Sequence, residues 1–149
     1  VILMVAITVI LAAAIGSSVF SQGAAQPAPQ ANLNIKPAGP ITSGLASVNI
    51  EHLGGDPVNL ATSSIKIMAS VENGKSAIQI YPDTPTTMTV GDIQKLDLKT
   101  HDSSGSSINL EKFKDDGTTK ENLASGDVVN LKFIDINSGQ IFLDKNIAF

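Results

Sequence analysis

The chain has 149 residues and a net charge of −4, a size that predicts one compact domain with at most a small appendage. All ten of its basic residues are Lys, and because a chain without Arg lacks the fork-shaped donors that nucleic-acid interfaces favour, we expect no nucleic-acid partner. The absence of Cys excludes disulfides, thiolate metal sites and Cys nucleophiles.

The first element is an apolar segment over residues 1–20 that is interrupted only by one Thr, one Gly and two Ser. Its apolar residues fall on every side of a helix, as in helices surrounded by lipid or by other protein. Twenty residues span about 30 Å, close to the hydrocarbon thickness of a bilayer. We therefore predict a long hydrophobic helix over residues 1–22 that lies in a membrane or in a filament core. Its candidate core residues are Val1, Ile2, Leu3, Val5, Ile7, Ile10, Leu11, Ile15, Gly16 and Phe20.

A secretory signal peptide is the first alternative for this segment, but signal peptides open with Met and a basic region. This chain opens with Val1, and its first charged side chain is Lys36. We interpret the terminal Val as the result of processing or of truncation. A plain membrane anchor for an extracytoplasmic domain is the second alternative, and composition does not exclude it.

Residues 23–30 are predicted to form an uncharged linker rich in Pro, Ala and Gln. Pro27 and Pro29 cannot continue a helix and Gly23 weakens one, so we expect the helix to end between Phe20 and Gln26.

From residue 31 the apolar residues recur with a period of two, which is typical of half-buried strands. The alternating sets begin at Leu33, Ala46, Ile65, Ile78, Leu96, Ile108, Val129, Ile141 and Ile147. Clusters of turn-forming residues separate them at 53–57, 72–75, 102–105 and 137–139. Seven to nine short strands in residues 31–149 predict an all-β, antiparallel sandwich or barrel head of immunoglobulin-like type. The whole chain is then α+β.

Few residues have the spacing that catalysis or metal binding requires. We interpret His52, which precedes Gly54 and Gly55, as a turn or rim residue and not as a ligand. Residues 135–139 open like a calcium loop, but Asn146 stands where a bidentate Glu is needed, so we favour a hairpin turn. The sequence has no nucleophile elbow, phosphate loop or dinucleotide glycine pattern. We expect no enzymatic activity, no metal and no cofactor.

Several Asp residues predict turns. Asp56, Asp92 and Asp127 each follow Gly, a position where the carboxylate commonly accepts hydrogen bonds from nearby backbone amides. Asp115 and Asp116, which precede Gly117, predict a solvated turn of the same kind.

Three segments resemble archaeal type IV pilins. Residues 1–16 resemble the N-terminal helix of that family, and residues 44–60 resemble the head motif that follows it, a strand that ends in His and then Gly-Gly-Asp. Residues 123–127, Leu-Ala-Ser-Gly-Asp, and the apolar hairpin after them are similar to the family's closing segment. The candidate head turn motif is therefore His52, Gly54, Gly55 and Asp56.

The resemblance implies a structural subunit of an extracellular cell-surface filament that serves adhesion. In that family the helices associate into a helical homopolymer with β-rich heads outside. Before assembly the subunit sits in the cytoplasmic membrane, where a prepilin peptidase and the pilus assembly machinery act on it. This chain has Val5 where bacterial relatives carry Glu, so no salt bridge from that position is expected to guide assembly.

Two other functions remain open. An archaellin-type subunit of a motility filament has a similar architecture, although the Gly-Gly-Asp-Pro motif favours a pilin. A monomeric, membrane-anchored binding module outside the cytoplasm is the other alternative.

Overall fold

The computed structural model describes the backbone of residues 1–21, 23, 26–71 and 76–149, and their side chains except those of residues 18–21. Helix α1 (Ile2–Ser21) ends inside the predicted interval, before the Gly and Pro residues of the following segment. It is the one helix among the described residues. The predicted turn at residues 72–75 lies outside them.

The described residues after the helix form thirteen strands, all paired antiparallel. They are β1 (Ala31–Pro37), β2 (Ser47–Gly55), β3 (Val58–Asn59), β4 (Ile65–Val71), β5 (Ser76–Ile80), β6 (Thr87–Met88), β7 (Ile93–Asp97), β8 (Lys99–His101), β9 (Ser107–Asn109), β10 (Glu111–Phe113), β11 (Lys120–Asn122), β12 (Val128–Asp135) and β13 (Ile141–Ala148). One N-terminal helix and an antiparallel β region confirm the predicted α+β class.

The number of strands exceeds the seven to nine that the sequence predicts. Six of the thirteen, β3, β6, β8, β9, β10 and β11, have only two or three residues, too few to show a period of two. The structure also divides the predicted strand at Ile108 and Leu110, because β9 stops at Asn109 and β10 starts at Glu111.

Two sheets make up most of the described head. One has the strand order β1-β2-β7 and the other β13-β12-β4-β5, and three two-stranded ladders, β3-β6, β8-β9 and β10-β11, accompany them. The first and last strands of the head, β1 and β13, lie beside each other at the edges of the two sheets. This proximity brings together residues that are far apart in the chain.

One hydrophobic core joins the two sheets. Val48 and Ile50 of β2 face it from one side, and Leu131 and Phe133 of β12 face it from the other, all essentially without exposure. Except for Ile134, the outward neighbours of these residues are polar, which is the alternation expected of strands with one face buried. The sequence pattern thus predicts the buried faces of β2 and β12. In β13 it does not, because Ile141, where a predicted set begins, is 54% exposed.

Candidate functional site

The surface of α1 is apolar on all sides. Ten large apolar side chains within residues 1–15 are between 52% and 101% exposed. They are Val1, Ile2, Leu3, Met4, Val5, Ile7, Val9, Ile10, Leu11 and Ile15. Phe20, the last candidate core residue, has a side chain outside the described ones. Among the helical residues that the structure describes, no stretch is both long and apolar enough to cross a membrane.

The polar side chains of α1 that are described bond to the helix itself. The Thr8 hydroxyl donates to the Met4 carbonyl oxygen at 2.7 Å, and the Ser17 hydroxyl donates to the Ala14 carbonyl oxygen at 3.4 Å. Bonding of this kind spares a hydroxyl the cost of desolvation in an apolar environment. At Gly16 the position of a Cβ has no neighbouring atom within 4 Å, so this face of the helix is open to close approach.

The head turn motif lies at the end of β2, beside the start of β1. The Asp56 backbone N–H donates to the Gln30 carbonyl oxygen at 3.0 Å, and the Gln30 N–H donates to Oδ2 of Asp56, also at 3.0 Å. Gly55 has φ +93°, and a Cβ built there would overlap the carbonyl oxygen of Gln30. We name Gln30, Gly55 and Asp56 the clamp, because they fix the segment that follows the helix to the head. The Asp56 carboxylate thus accepts from an amide 26 positions earlier in the chain, and not from the nearby amides that the Gly-Asp pattern predicts.

The two glycines of the motif differ. Gly55 requires glycine because a positive φ strains any side chain and because Ala31 Cα lies 3.0 Å from the position of a Cβ. Gly54 has no positive φ, and nothing lies within 4 Å of its Cβ position. The pairing of β1 with β2 shifts between Asn32 and Leu33, a bulge that bends the strand just before the clamp.

His52 is buried, with 1% exposure, so its interpretation as a rim residue is wrong. Its Nε2 lies 2.8 Å from the Asp56 carbonyl oxygen, and because a carbonyl only accepts, Nε2 carries the hydrogen. The backbone of His52 also bonds to Asp92 and Gly91. The imidazole therefore supports the clamp from within the head.

Removal of residues 1–26 is expected to leave a soluble, monomeric β-protein, because the described core runs from Leu33 to Ile147. Removal of residues 27–30 as well deletes Ala28, which is 5% exposed, and both hydrogen bonds between Gln30 and Asp56, so the longer deletion should unfold at a lower temperature. Size-exclusion chromatography and circular dichroism measure these properties. An aggregated or helical 27–149 fragment would contradict the expectation.

Comparison with known proteins identifies the N-terminal segment. Residues 1–33 match the family model described as archaeal type IV pilin, N-terminal. The match confirms the resemblance predicted from the helix. The chain is also 42% identical over 80 residues to an uncharacterized protein of Archaeoglobus fulgidus, a match that spans 52% of this chain and 52% of that protein. The chain thus spans about half the length of this curated relative.

The turn at residues 123–127 connects β11 to β12. Asp127 Oδ2 accepts the Ala124 N–H at 2.7 Å, and Asp92 Oδ2 accepts the Thr89 N–H at 2.8 Å, as the Gly-Asp pattern predicts. The hydrogen bonds from Thr89 lower the pKa of Asp92 below its ordinary value. Lys112 Nζ donates to Asp127 Oδ1 at 2.9 Å, and this bond raises the pKa of Lys112.

In two further turns an Asp carboxylate accepts hydrogen bonds from the turn itself. The Thr119 hydroxyl and the N–H groups of Thr119 and Thr118 donate to Asp116, which lowers its pKa to about 2. Asp135 Oδ2 accepts the Ser138 N–H at 2.8 Å in the turn between β12 and β13, so the hairpin interpretation is confirmed. Within the described residues, no three acidic or His side chains are grouped to hold a metal ion.

Sequence reasoning missed one cluster of the head, formed by Asn34, Glu51 and Lys145. These side chains come from β1, β2 and β13 and meet where the two sheets adjoin. Lys36 bonds the same carboxylate, with Nζ 3.0 Å from Glu51 Oε2. The hydrogen bonds from Lys36 and then Asn34 lower the pKa of Glu51, which is therefore ionised at neutral pH. Asn34 and Lys145 are 111 positions apart, so no local sequence pattern predicts their contact.

Proposed function

We propose that this chain is the structural subunit of an extracellular archaeal type IV pilus, and that it polymerises through α1 with its head outside. The match of residues 1–33 to the pilin family is the observation that supports this proposal most. The exposed apolar helix and the head, which has its own hydrophobic core, also support it. A filament subunit needs one part that packs against other subunits and another that faces solvent. The role is structural and not catalytic.

The energetics of α1 favour a stable polymer. Burial of a Leu or Ile side chain is worth roughly 1.5 to 3 kcal/mol. Six such residues are more than half exposed in the single chain, so transfer from a filament core to water would cost on the order of 10 kcal/mol per subunit. They are Ile2, Leu3, Ile7, Ile10, Leu11 and Ile15. Disassembly into solution should be negligible.

The same helix holds the subunit in the cytoplasmic membrane before assembly in this proposal. Transfer from bilayer to filament exchanges one apolar environment for another, so specificity depends on close helix packing. The small residues at positions 12–14 and 16–18 allow that approach. A prepilin peptidase and the pilus assembly machinery act on the membrane form, and the finished filament serves adhesion.

Electron microscopy of material shed from cells tests the proposal. We expect helical fibres with a dense core that contain this chain, and we expect deletion of its gene to remove the fibres without stopping the cells from swimming. Loss of swimming would instead indicate an archaellin-type motility filament. Extraction in detergent as a monodisperse monomer, from cells without fibres, would contradict polymerisation.

A further inference from the structure

Three polar side chains meet at this point of the head. The Lys145 amine contacts the Asn34 carboxamide, which in turn contacts the Glu51 carboxylate. Lys145 Nζ lies 3.0 Å from Asn34 Oδ1, and Asn34 Nδ2 lies 2.9 Å from Glu51 Oε2. An ammonium only donates and a carboxylate only accepts, so the orientation of the amide is fixed by its neighbours. The carbonyl oxygen of Asn34 faces the amine, and its amide nitrogen faces the carboxylate.

The amine is held in position by a second bond. Lys145 Nζ also donates to the Ile35 carbonyl oxygen at 3.1 Å, so Nζ is fixed over β1 by two acceptors. Asn34, Glu51 and Lys145 are all half-buried, which limits the water that competes for their polar atoms. The Asn34 Cγ is bonded to Oδ1, so for a reaction at this carbon Nζ must give up its hydrogen bond to the oxygen and move to the neighbouring atom.

We propose that Lys145 and Asn34 become joined by an isopeptide bond, and that Glu51 transfers the protons for this reaction. Positioning of a nucleophile next to the group that it attacks can replace part of the entropic barrier to such a reaction. The bond covalently links the first strand of the head to the last. It does not depend on filament formation.

The reaction balances without an oxidant or a co-reactant. The Lys145 Nζ–Asn34 Cγ bond forms, and the Asn34 Cγ–Nδ2 bond breaks. Lys145 starts as an ammonium, and two of its three Nζ protons end on the departing nitrogen, which leaves as ammonium. The Glu51 carboxylate already accepts a hydrogen bond from that nitrogen, so it can carry these protons one at a time and return to its ionised form.

The intact mass of the full chain, measured after purification and denaturation, tests the proposal. We expect a mass lower than the sequence mass by one ammonia molecule, and after proteolysis a branched peptide that joins Lys145 to Asn34. Lys145→Arg keeps the positive charge and Asn34→Ala removes the acyl group, and both should restore the full sequence mass. Glu51→Gln should slow the mass loss at least tenfold. Full sequence mass for the folded natural chain would overturn the proposal.

Two matched variants separate this bond from other causes of the same mass change. Lys36→Met removes the amine that pairs with Glu51, but that amine does not bond Asn34, so the mass loss should persist. The sequence also contains Asn73-Gly74, a pair whose side chain can lose ammonia by cyclisation onto the backbone. Asn73→Ala should therefore also retain the loss. A mass loss that survives Lys145→Arg, or that disappears in Asn73→Ala, would contradict the assignment.

Discussion

Lysine in place of Ile7 or Ile10 should abolish filaments and leave the head folded. In a filament core each of these side chains is surrounded by apolar helices, and the first 35 residues of the chain contain no carboxylate that could pair with an ammonium. Burial of an unpaired charge costs several kcal/mol even after the surroundings relax. Every subunit bears that cost, so we expect no fibres by electron microscopy.

Conservative variants at the same positions provide the control. Ile7→Leu and Ile10→Val keep the helix apolar and nearly conserve its volume, so they should cost little and leave fibres abundant. Expression of each variant and folding of its head must be verified before filaments are counted. A normal filament yield from the Lys variants would mean that α1 does not lie in a dry helical core.

Gly55→Val should destabilise the head by about 2 kcal/mol or more, because a non-glycine residue at φ +93° is strained by roughly 1 to 3 kcal/mol. The new side chain also overlaps the Gln30 carbonyl oxygen, so β1 must shift and both hydrogen bonds between Gln30 and Asp56 are disturbed. Denaturant unfolding of residues 27–149 measures the change as a lower midpoint.

Gly54→Val is the matched control, since it places the same side chain one residue earlier on the same strand. Its backbone has no positive φ and its Cβ position is open, so the unfolding midpoint should change much less. Equal midpoints for the two variants would show that the clamp contributes nothing to stability.

Much of the fold could be predicted from local patterns. The uniform apolar run predicts α1, because a helix that is apolar on every side leaves a signal in composition alone. The alternation at Val48 and Ile50, and at Leu131 and Phe133, predicts strands and their buried faces, because side chains of a strand alternate between its two faces. The Gly-Asp turns at Asp92 and Asp127 follow from contacts within four residues.

The rest depends on contacts between distant residues. The interpretation of His52 as a rim residue failed because its burial results from packing and from bonds to Asp56 and Asp92, which a position next to Gly-Gly does not reveal. The need for Gly55 arises from Gln30, 25 positions earlier in the chain. The contact of Lys145 with Asn34 depends on the adjacency of the first and last strands, which no periodicity specifies.

The clamp also determines how tension would reach the head. A pull on the helix enters the head at Gln30, and the two hydrogen bonds between Gln30 and Asp56 are the first to bear that load. Beyond them, β1 is bonded to β2 along its whole length, while Lys145 ties it to β13. Force applied through the helix is thereby shared between both sheets at the point where it enters the head.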